Sequence, residues 1–433
     1  MSAAAGRPRV LVDGRPLRGH LSGVGQYVWH LAAALAATAG HPETGDLEVQ
    51  VLVIGDGPDG LAAPPAGVGV RGAGPVPRKA FNGLAAYAPL VPASAFGLRA
   101  DLVHCTYFER LPALPRGTRV VSTVHDVAFL RLPQVFSRIN LAASRRALRW
   151  QVARSDVLLT PSQFTKDELV ALCDVPPEKV VVTPLAVTEA VGPLGRTAAS
   201  AQGSAQRTDL SDLTDRTDPR PLRERPFVLY LGNVEPRKNL GRLLRAWAGS
   251  DARSSHDLVL AGTALAHAAD LQAELAAAGG SVVPLGFVDA ATKHELLRRC
   301  TAFVYPSLYE GFGIPVLEAM AAGAPVVTST AGALAELTAG AALAVDPLRV
   351  DALRDAVDAL VADEALRTRL GAQGLARAAG FSWERTAALT ADVYRQVLGS
   401  APVPSPRRSS SPPVVDLRDG SRPQGATRRR VEP

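Results

Sequence analysis

Apolar residues in this chain fall into short runs, separated by stretches where they recur every three or four positions. Arg9-Val10-Leu11-Val12 opens as a buried strand. Strand-like runs follow at 49–54, 102–105, 120–123, 157–160 and 180–183, and helical stretches separate most of them. A second series begins with Phe227-Val228-Leu229-Tyr230-Leu231-Gly232 and continues at 258–260, 282–285, 302–305, 326–328 and 343–345. Alternating strands and helices predict parallel α/β sheets with helices on both faces. At 433 residues the chain is too long for one ordinary core. The pattern divides it into an N-terminal domain (1–189), a linker (190–226), a C-terminal domain (227–380), a last helix (381–399) and a tail (400–433). The linker is Ala, Gly, Ser, Thr, Asp and Arg without apolar periodicity, which predicts flexibility. The Pro, Ser and Arg-rich tail should be disordered.

Charge changes this picture little. The net charge is +6, but the tail alone carries +4, from seven arginines against Asp416, Asp419 and Glu432. The folded part is close to neutral, which argues against nucleic-acid binding. Cys105, Cys173 and Cys300 lie scattered in apolar segments and read as small buried hydrophobes, not a metal site or disulfide frame. No secretory signal opens the chain and no apolar run reaches the ~18 residues of a membrane span. The expected location is cytoplasmic, soluble or peripheral at the inner face of the membrane.

Candidate chemistry concentrates in Tyr305 to Pro325, YPSLYEGFGIPVLEAMAAGAP. Pro306 and Ser307 end a strand, Pro315 suits the first turn of a helix, and Gly323 suits its C-terminal cap. Between them lies Glu310-Gly311-Phe312-Gly313, a loop whose backbone can approach a ligand closely. A strand, a glycine loop and a helix N-terminus make an anion site. Glu310 and Glu318, eight residues apart, add carboxylates that can accept from sugar hydroxyls. A diphosphate flanked by rings of hydroxyls, as in a nucleotide sugar, offers both parts. A second cationic loop, Pro236-Arg237-Lys238-Asn239, follows the first strand of the C-terminal domain. Near the N-terminus, Ser22-Gly23-Val24-Gly25 reads as a loop before a helix with Tyr27, Val28, Leu31 and Leu35 on its apolar face. It is not a dinucleotide fingerprint, because Val28 stands where a third glycine would be needed.

The run PSLYEGFGIPVLEAMAAGAPVV resembles the signature of family-four retaining glycosyltransferases. The resemblance covers about residues 8–398 and is thinnest across the acceptor-side loops. It implies an α/β fold of GT-B architecture, with two Rossmann-like parallel-sheet domains facing a central cleft. It also implies roles. Glu318 would hold the ribose hydroxyls and Glu310 the donor sugar. Lys238, Arg237 and the backbone of Gly311, Phe312 and Gly313 would hold the diphosphate. His125, in Ser122-Thr123-Val124-His125-Asp126, would lie beside the reacting sugar, and Gly23 and Gly25 would approach the donor phosphates. The chain departs from the family at Asn233, where arginine is common, and at Ala335, beside Glu336, where proline is usual.

The implied activity is transfer of a hexose from a nucleotide diphosphate sugar to a glycan or lipid-linked acceptor, with no cofactor. Without a D-x-D motif, no required metal is expected. The TVHD and PRKN forms favour GDP-mannose over a UDP-sugar. A nucleotide-sugar epimerase of the same architecture, or an idle carbohydrate-binding scaffold, are the alternatives. The acceptor-side segments, 76–99 and 129–154, carry no transferable motif. Arg138, Arg145 and Arg149 share one helical stripe, which suits either peripheral membrane contact or a solvated face.

Overall fold

The computed structural model describes residues 7–17, 23–38, 47–53, 67–72, 99–108, 114–187, 225–262 and 271–400. Nearly all of the expected linker, the basic tail after Ser400 and most of the apolar segment 76–99 lie outside the described residues. Contacts divide the chain into two units, Met1–Pro184 with Trp383–Pro433, and Leu185–Ser382.

The first unit carries strands β1 (Arg9–Asp13), β2 (Glu48–Val53), β3 (Gly69–Gly72), β4 (Leu102–Cys105), β5 (Arg119–Thr123), β6 (Val157–Thr160) and β7 (Val180–Val182). All pair in parallel, in the order β3-β2-β1-β4-β5-β6-β7. Its helices are α1 (Gly23–Thr38), α2 (Ala128–Arg131), α3 (Arg138–Arg154) and α4 (Gln163–Cys173). Central strands of a parallel sheet are covered on both faces. Accordingly Val10 to Asp13 are all buried, and Leu11, Leu52, Val103, Cys105 and Val120 pack as one cluster.

Two local expectations need correction. β3 has no apolar run, and its four residues are exposed; it is a strand only through pairing with β2. The helix after β1 begins at Gly23, so Gly25 sits in its first turn and not in a preceding loop. The apolar stripe reaches back one turn, to Val24, and extends the helix with it. Ser162 caps α4: its Oγ accepts from the Thr165 N–H at 3.1 Å.

The second unit carries β8 (Phe227–Leu231), β9 (Asp257–Ala261), β10 (Val282–Gly286), β11 (Ala302–Tyr305), β12 (Val326–Ser329) and β13 (Leu343–Val345). This sheet too is parallel, in the order β10-β9-β8-β11-β12-β13. Around it lie α5 (Leu240–Ala248), α6 (Gln272–Ala278), α7 (Ala290–Arg299), α8 (Ile314–Ala321), α9 (Leu334–Thr338), α10 (Val350–Ala362) and α11 (Glu364–Ala378). Pro315 stands in the first turn of α8 as expected. The helix stops at Ala321, two residues before Gly323, which takes a left-handed φ of +76°. The last helix, α12 (Trp383–Gly399), returns to the first unit, where it packs on α1 and β5. All three cysteines are buried and free, and burial pushes each thiol up to about 12.

Candidate active site

In each unit the first strand pairs with the second and the fourth strands, so the connections leave it in opposite directions. Ligands of open parallel sheets bind beyond the C-terminal ends of strands at such a point. In the second unit that point lies between β8 and β11, and the sequence-predicted residues are on the two loops that leave these strands and, for Glu318, on the helix α8 that follows.

Glu310 is the hub. Its Oε1 accepts from Lys238 Nζ at 2.6 Å, Ser307 Oγ at 2.8 Å and the Tyr305 hydroxyl at 3.2 Å. Its Oε2 faces the Arg237 guanidinium at 3.1 Å, and Lys238 also donates to the Tyr305 hydroxyl. Burial alone would raise the Glu310 carboxyl. Lys238 and Arg237, with hydrogen bonds from Lys238 and Ser307, hold it below the ordinary carboxylate value. Burial, and then the Glu310 charge, push the Tyr305 hydroxyl well above its ordinary value. Sequence reasoning paired Arg237 and Lys238 with an anion; both face this carboxylate, and Arg237 Nε also donates to Glu235 Oε2 at 2.9 Å.

The backbone holds the cluster together. Leu308 N–H donates to the Arg237 carbonyl at 2.7 Å, which joins the two loops directly. Asn239, at φ +64°, sends its amide to the carbonyls of Pro306 (3.0 Å) and Pro347 (2.7 Å). Gly332, at φ +67°, lies against Glu310 so closely that a Cβ would stand 2.7 Å from its backbone N and O. Neither Asn239 nor Gly332 was singled out in the sequence, although the turn residues themselves were legible. Gly313 caps α8 at φ +109°, and Gly311 and Phe312 precede it, so the loop runs directly into the N-terminal end of the helix. The Phe312 ring is buried in perpendicular packing on Phe381 at 5.8 Å, which leaves its backbone as the part that could meet a ligand. Glu318, on α8, accepts from Lys293 Nζ of α7 at 2.5 Å. Lys293 was not anticipated, as nothing marks it off from other helix-surface lysines.

In the first unit the corresponding rim is formed by β1, β4 and β5. Asp13, the last residue of β1, and Arg15 form a buried ion pair at 2.6 Å. Thr106, just after β4, donates its hydroxyl to the Asp13 carbonyl at 2.7 Å. His125, just after β5, is half-buried, and its Nε2 lies 3.0 Å from the Thr106 carbonyl oxygen. A carbonyl only accepts, so Nε2 carries the proton. Burial lowers the imidazole to about 4, which keeps it neutral. Gly23 and Gly25 supply N–H groups of the first turn of α1, and Gly23 has open space where a Cβ would stand.

Comparison with known proteins decides the family. "Glycosyltransferase Family 4" matches residues 21–190 and "Glycosyl transferases group 1" residues 213–377. O-antigen chain mannosyltransferase B of Escherichia coli is 31% identical over 285 residues, which cover 65% of this chain and 71% of that protein. The chain belongs to the family-four glycosyltransferases of the GT-B fold. This glycosyltransferase is also 30% identical over 323 residues to a D-inositol 3-phosphate glycosyltransferase of a Nocardioides species, covering 68% of this chain and 67% of that one. Its fold matches the structure of sucrose-phosphate synthase from Thermosynechococcus elongatus with a TM-score of 0.66 at 21% identity, over 91% of this chain and 100% of that one.

Proposed function

We propose that the protein moves a hexose, mannose by preference, from a nucleoside diphosphate sugar to a glycan or lipid-linked acceptor, with retention of configuration and without a required metal. The observation that carries this reading is the Glu310 hub. Two cations and a helix N-terminus converge beyond β8 and β11, and two carboxylates lie in the same loop and helix. In this role Lys238 and Arg237 take the diphosphate, together with the backbone N–H groups of Gly311, Phe312 and Gly313. Charge-assisted contacts of this kind are the strong ones for phosphate. They gain most when the leaving group develops charge, which favours the transition state over the bound donor. Glu318 accepts from the ribose hydroxyls, Glu310 from the hexose, and the free nitrogen of neutral His125 from a hexose hydroxyl. Gly23 and Gly25 contribute backbone N–H groups toward the donor phosphates. The acceptor hydroxyl attacks on the face the diphosphate leaves, and a leaving-group oxygen takes its proton. The preference for GDP-mannose rests on the TVHD and PRKN segments and on the mannosyltransferase named above.

On the acceptor side, α3 exposes Arg138, Ile139, Arg146 and Arg149, with Ile139 80% exposed, while Arg145 of the expected stripe is partly buried. Among the described residues no helix is long and apolar enough to cross a membrane. A basic face with an exposed apolar residue suits peripheral contact with anionic lipid and a lipid-linked acceptor.

The test is a thermal-shift screen of GDP, UDP, ADP and their sugars, with magnesium and with EDTA. A native-state ligand raises the melting temperature by mass action. A shift with one diphosphate that persists in EDTA, and is lost in Glu318→Ala, identifies the donor class. An NMR assignment of the product anomer then reads retention. A flat response from folded protein would favour the scaffold reading.

A further inference from the structure

Behind His125 runs a line of buried polar side chains that the transfer chemistry does not use. The Tyr27 ring of α1 stands perpendicular to the His125 imidazole, 4.8 Å between centroids at 83°. Its hydroxyl is 2.9 Å from Thr123 Oγ1 on β5. Thr123 Oγ1 lies 2.7 Å from His104 Nε2 on β4, and His104 Nδ1 lies 2.7 Å from the Tyr394 hydroxyl on α12. All four side chains are buried, none above 2% exposed. They come from four elements, one of them the helix that returns after the whole second unit.

We propose that Tyr27 is a positioning residue for His125, held in place by the chain of contacts through Thr123, His104 and Tyr394. The inference rests on the proposed glycosyl transfer. A strand interior needs no hydroxyls for stability, since well-packed apolar groups of the same shape would serve about as well. A buried polar chain instead admits very few arrangements. A neutral imidazole donates at one nitrogen and accepts at the other, so hydrogen bonding through His104 runs in one sense between the two tyrosines. The Tyr27 hydroxyl is thereby fixed, and its ring with it. That ring walls the His125 imidazole, whose Nε2–H is taken by the Thr106 carbonyl. What remains is an Nδ1 lone pair in one orientation, the acceptor that a sugar hydroxyl requires.

The experiment compares Thr123→Val, Tyr394→Phe and the double variant with the wild type. Turnover is followed as nucleoside diphosphate release from GDP-mannose or UDP-glucose, whichever gives the larger thermal shift, with octyl α-mannoside as acceptor. Each single variant should lower kcat roughly tenfold through misplacement of His125. The donor KM should stay within about twofold, because only transition-state interactions are lost. The double variant should be no worse than the worse single one, as expected for groups acting as a unit. Thr123→Ser should restore kcat. A merely structural role would lower the melting temperature and leave kcat unchanged below it. Wild-type turnover matched by Thr123→Val overturns this inference alone. Absence of both nucleotide binding and turnover in the wild type overturns the functional reading and this inference together. A second readout needs no turnover: 15N-histidine spectra of the wild type, assigned by difference with His125→Gln, should show His125 as the Nε2–H tautomer. The Nδ1–H form would count against it.

Discussion

The two units wind their sheets alike and furnish the C-terminal ends of their strands differently. In the second unit the loops after β8 and β11 gather charge, with Lys238 and Arg237 both on the Glu310 carboxylate. In the first unit the rim carries one closed ion pair, Arg15 with Asp13, and the groups beneath His125 are neutral, a chain of two phenols, a threonine and an imidazole. Charge in a water-poor site attracts and stabilises an anion, while a neutral hydrogen-bonded chain fixes orientation and adds little long-range field. In the proposed function the charged cluster serves the diphosphate, and the neutral chain sets the orientation of His125.

Lys238→Ala is the strongest way to break that contrast. It removes one of two cations from a buried carboxylate, which by general experience costs about 3 kcal/mol of stability. In the proposed role it would also delete a leaving-group contact, and turnover should fall by about a thousandfold. Urea unfolding and nucleoside diphosphate release measure the two effects. A variant that kept a wild-type thermal shift with the cognate diphosphate would end the electrostatic account of the second unit.

Acid should separate the units. Burial lowers His30 and His125 to about 4 and His104 to about 3, and all three lie in the first unit. Unfolded histidine takes its proton near 6.5, so below that pH the unfolded chain binds more protons and stability falls as pH drops toward the folded values. For fully buried His104 the loss by pH 4 is on the order of 3 kcal/mol. Glu310 behaves differently. Its folded value is depressed, so its contribution is complete above 4.5 and disappears only as pH falls through that lower value. His256, half-buried in the second unit, is also lowered, by burial and then by Arg367 and Arg225, which makes the contrast one of degree. Hydrogen exchange at pH 7 and 5, corrected for intrinsic rates, should show peptides of the first unit losing protection first. Equal losses in both units would count against the assignment of neutral histidines to the first.

These two sets of groups were not equally legible in the sequence. Glu310, Gly313, Pro315 and Glu318 fall within a single strand-loop-helix passage, so local turn chemistry placed them, and Lys238 stood in a cationic loop after a buried strand. The sheets were legible for the same reason, strand by strand, except β3, which pairing with β2 creates without apolar content of its own. Tyr27 and Thr123 had ordinary explanations, an apolar helix face and a strand end, and nothing linked either to Tyr394 at the far end of the chain. Contacts between residues 290 positions apart, such as His104 and Tyr394, leave no local trace. Gly332 is intermediate: its glycine was visible, but not that its backbone touches that of Glu310.

The smallest predicted effect has the opposite sign from the others. In the proposed site Glu310 competes with a diphosphate for Lys238 and Arg237, because both cations already face its two oxygens, with Arg237 shared by Glu235. Glu310→Gln keeps the shape and a carbonyl acceptor but removes the charge. Affinity for the free diphosphate should therefore rise by about tenfold, or roughly 1.4 kcal/mol, even as turnover falls through loss of the sugar contact. Thr123→Val, on the neutral chain, should leave diphosphate affinity unchanged. Calorimetric titration of GDP and UDP into both variants compares the units directly. Weaker binding in Glu310→Gln would mean that the carboxylate's main effect is to hold the cations in position and not to compete for them. The second unit would then share the first unit's logic, with orientation set by a buried partner, and the contrast between them would lose its basis.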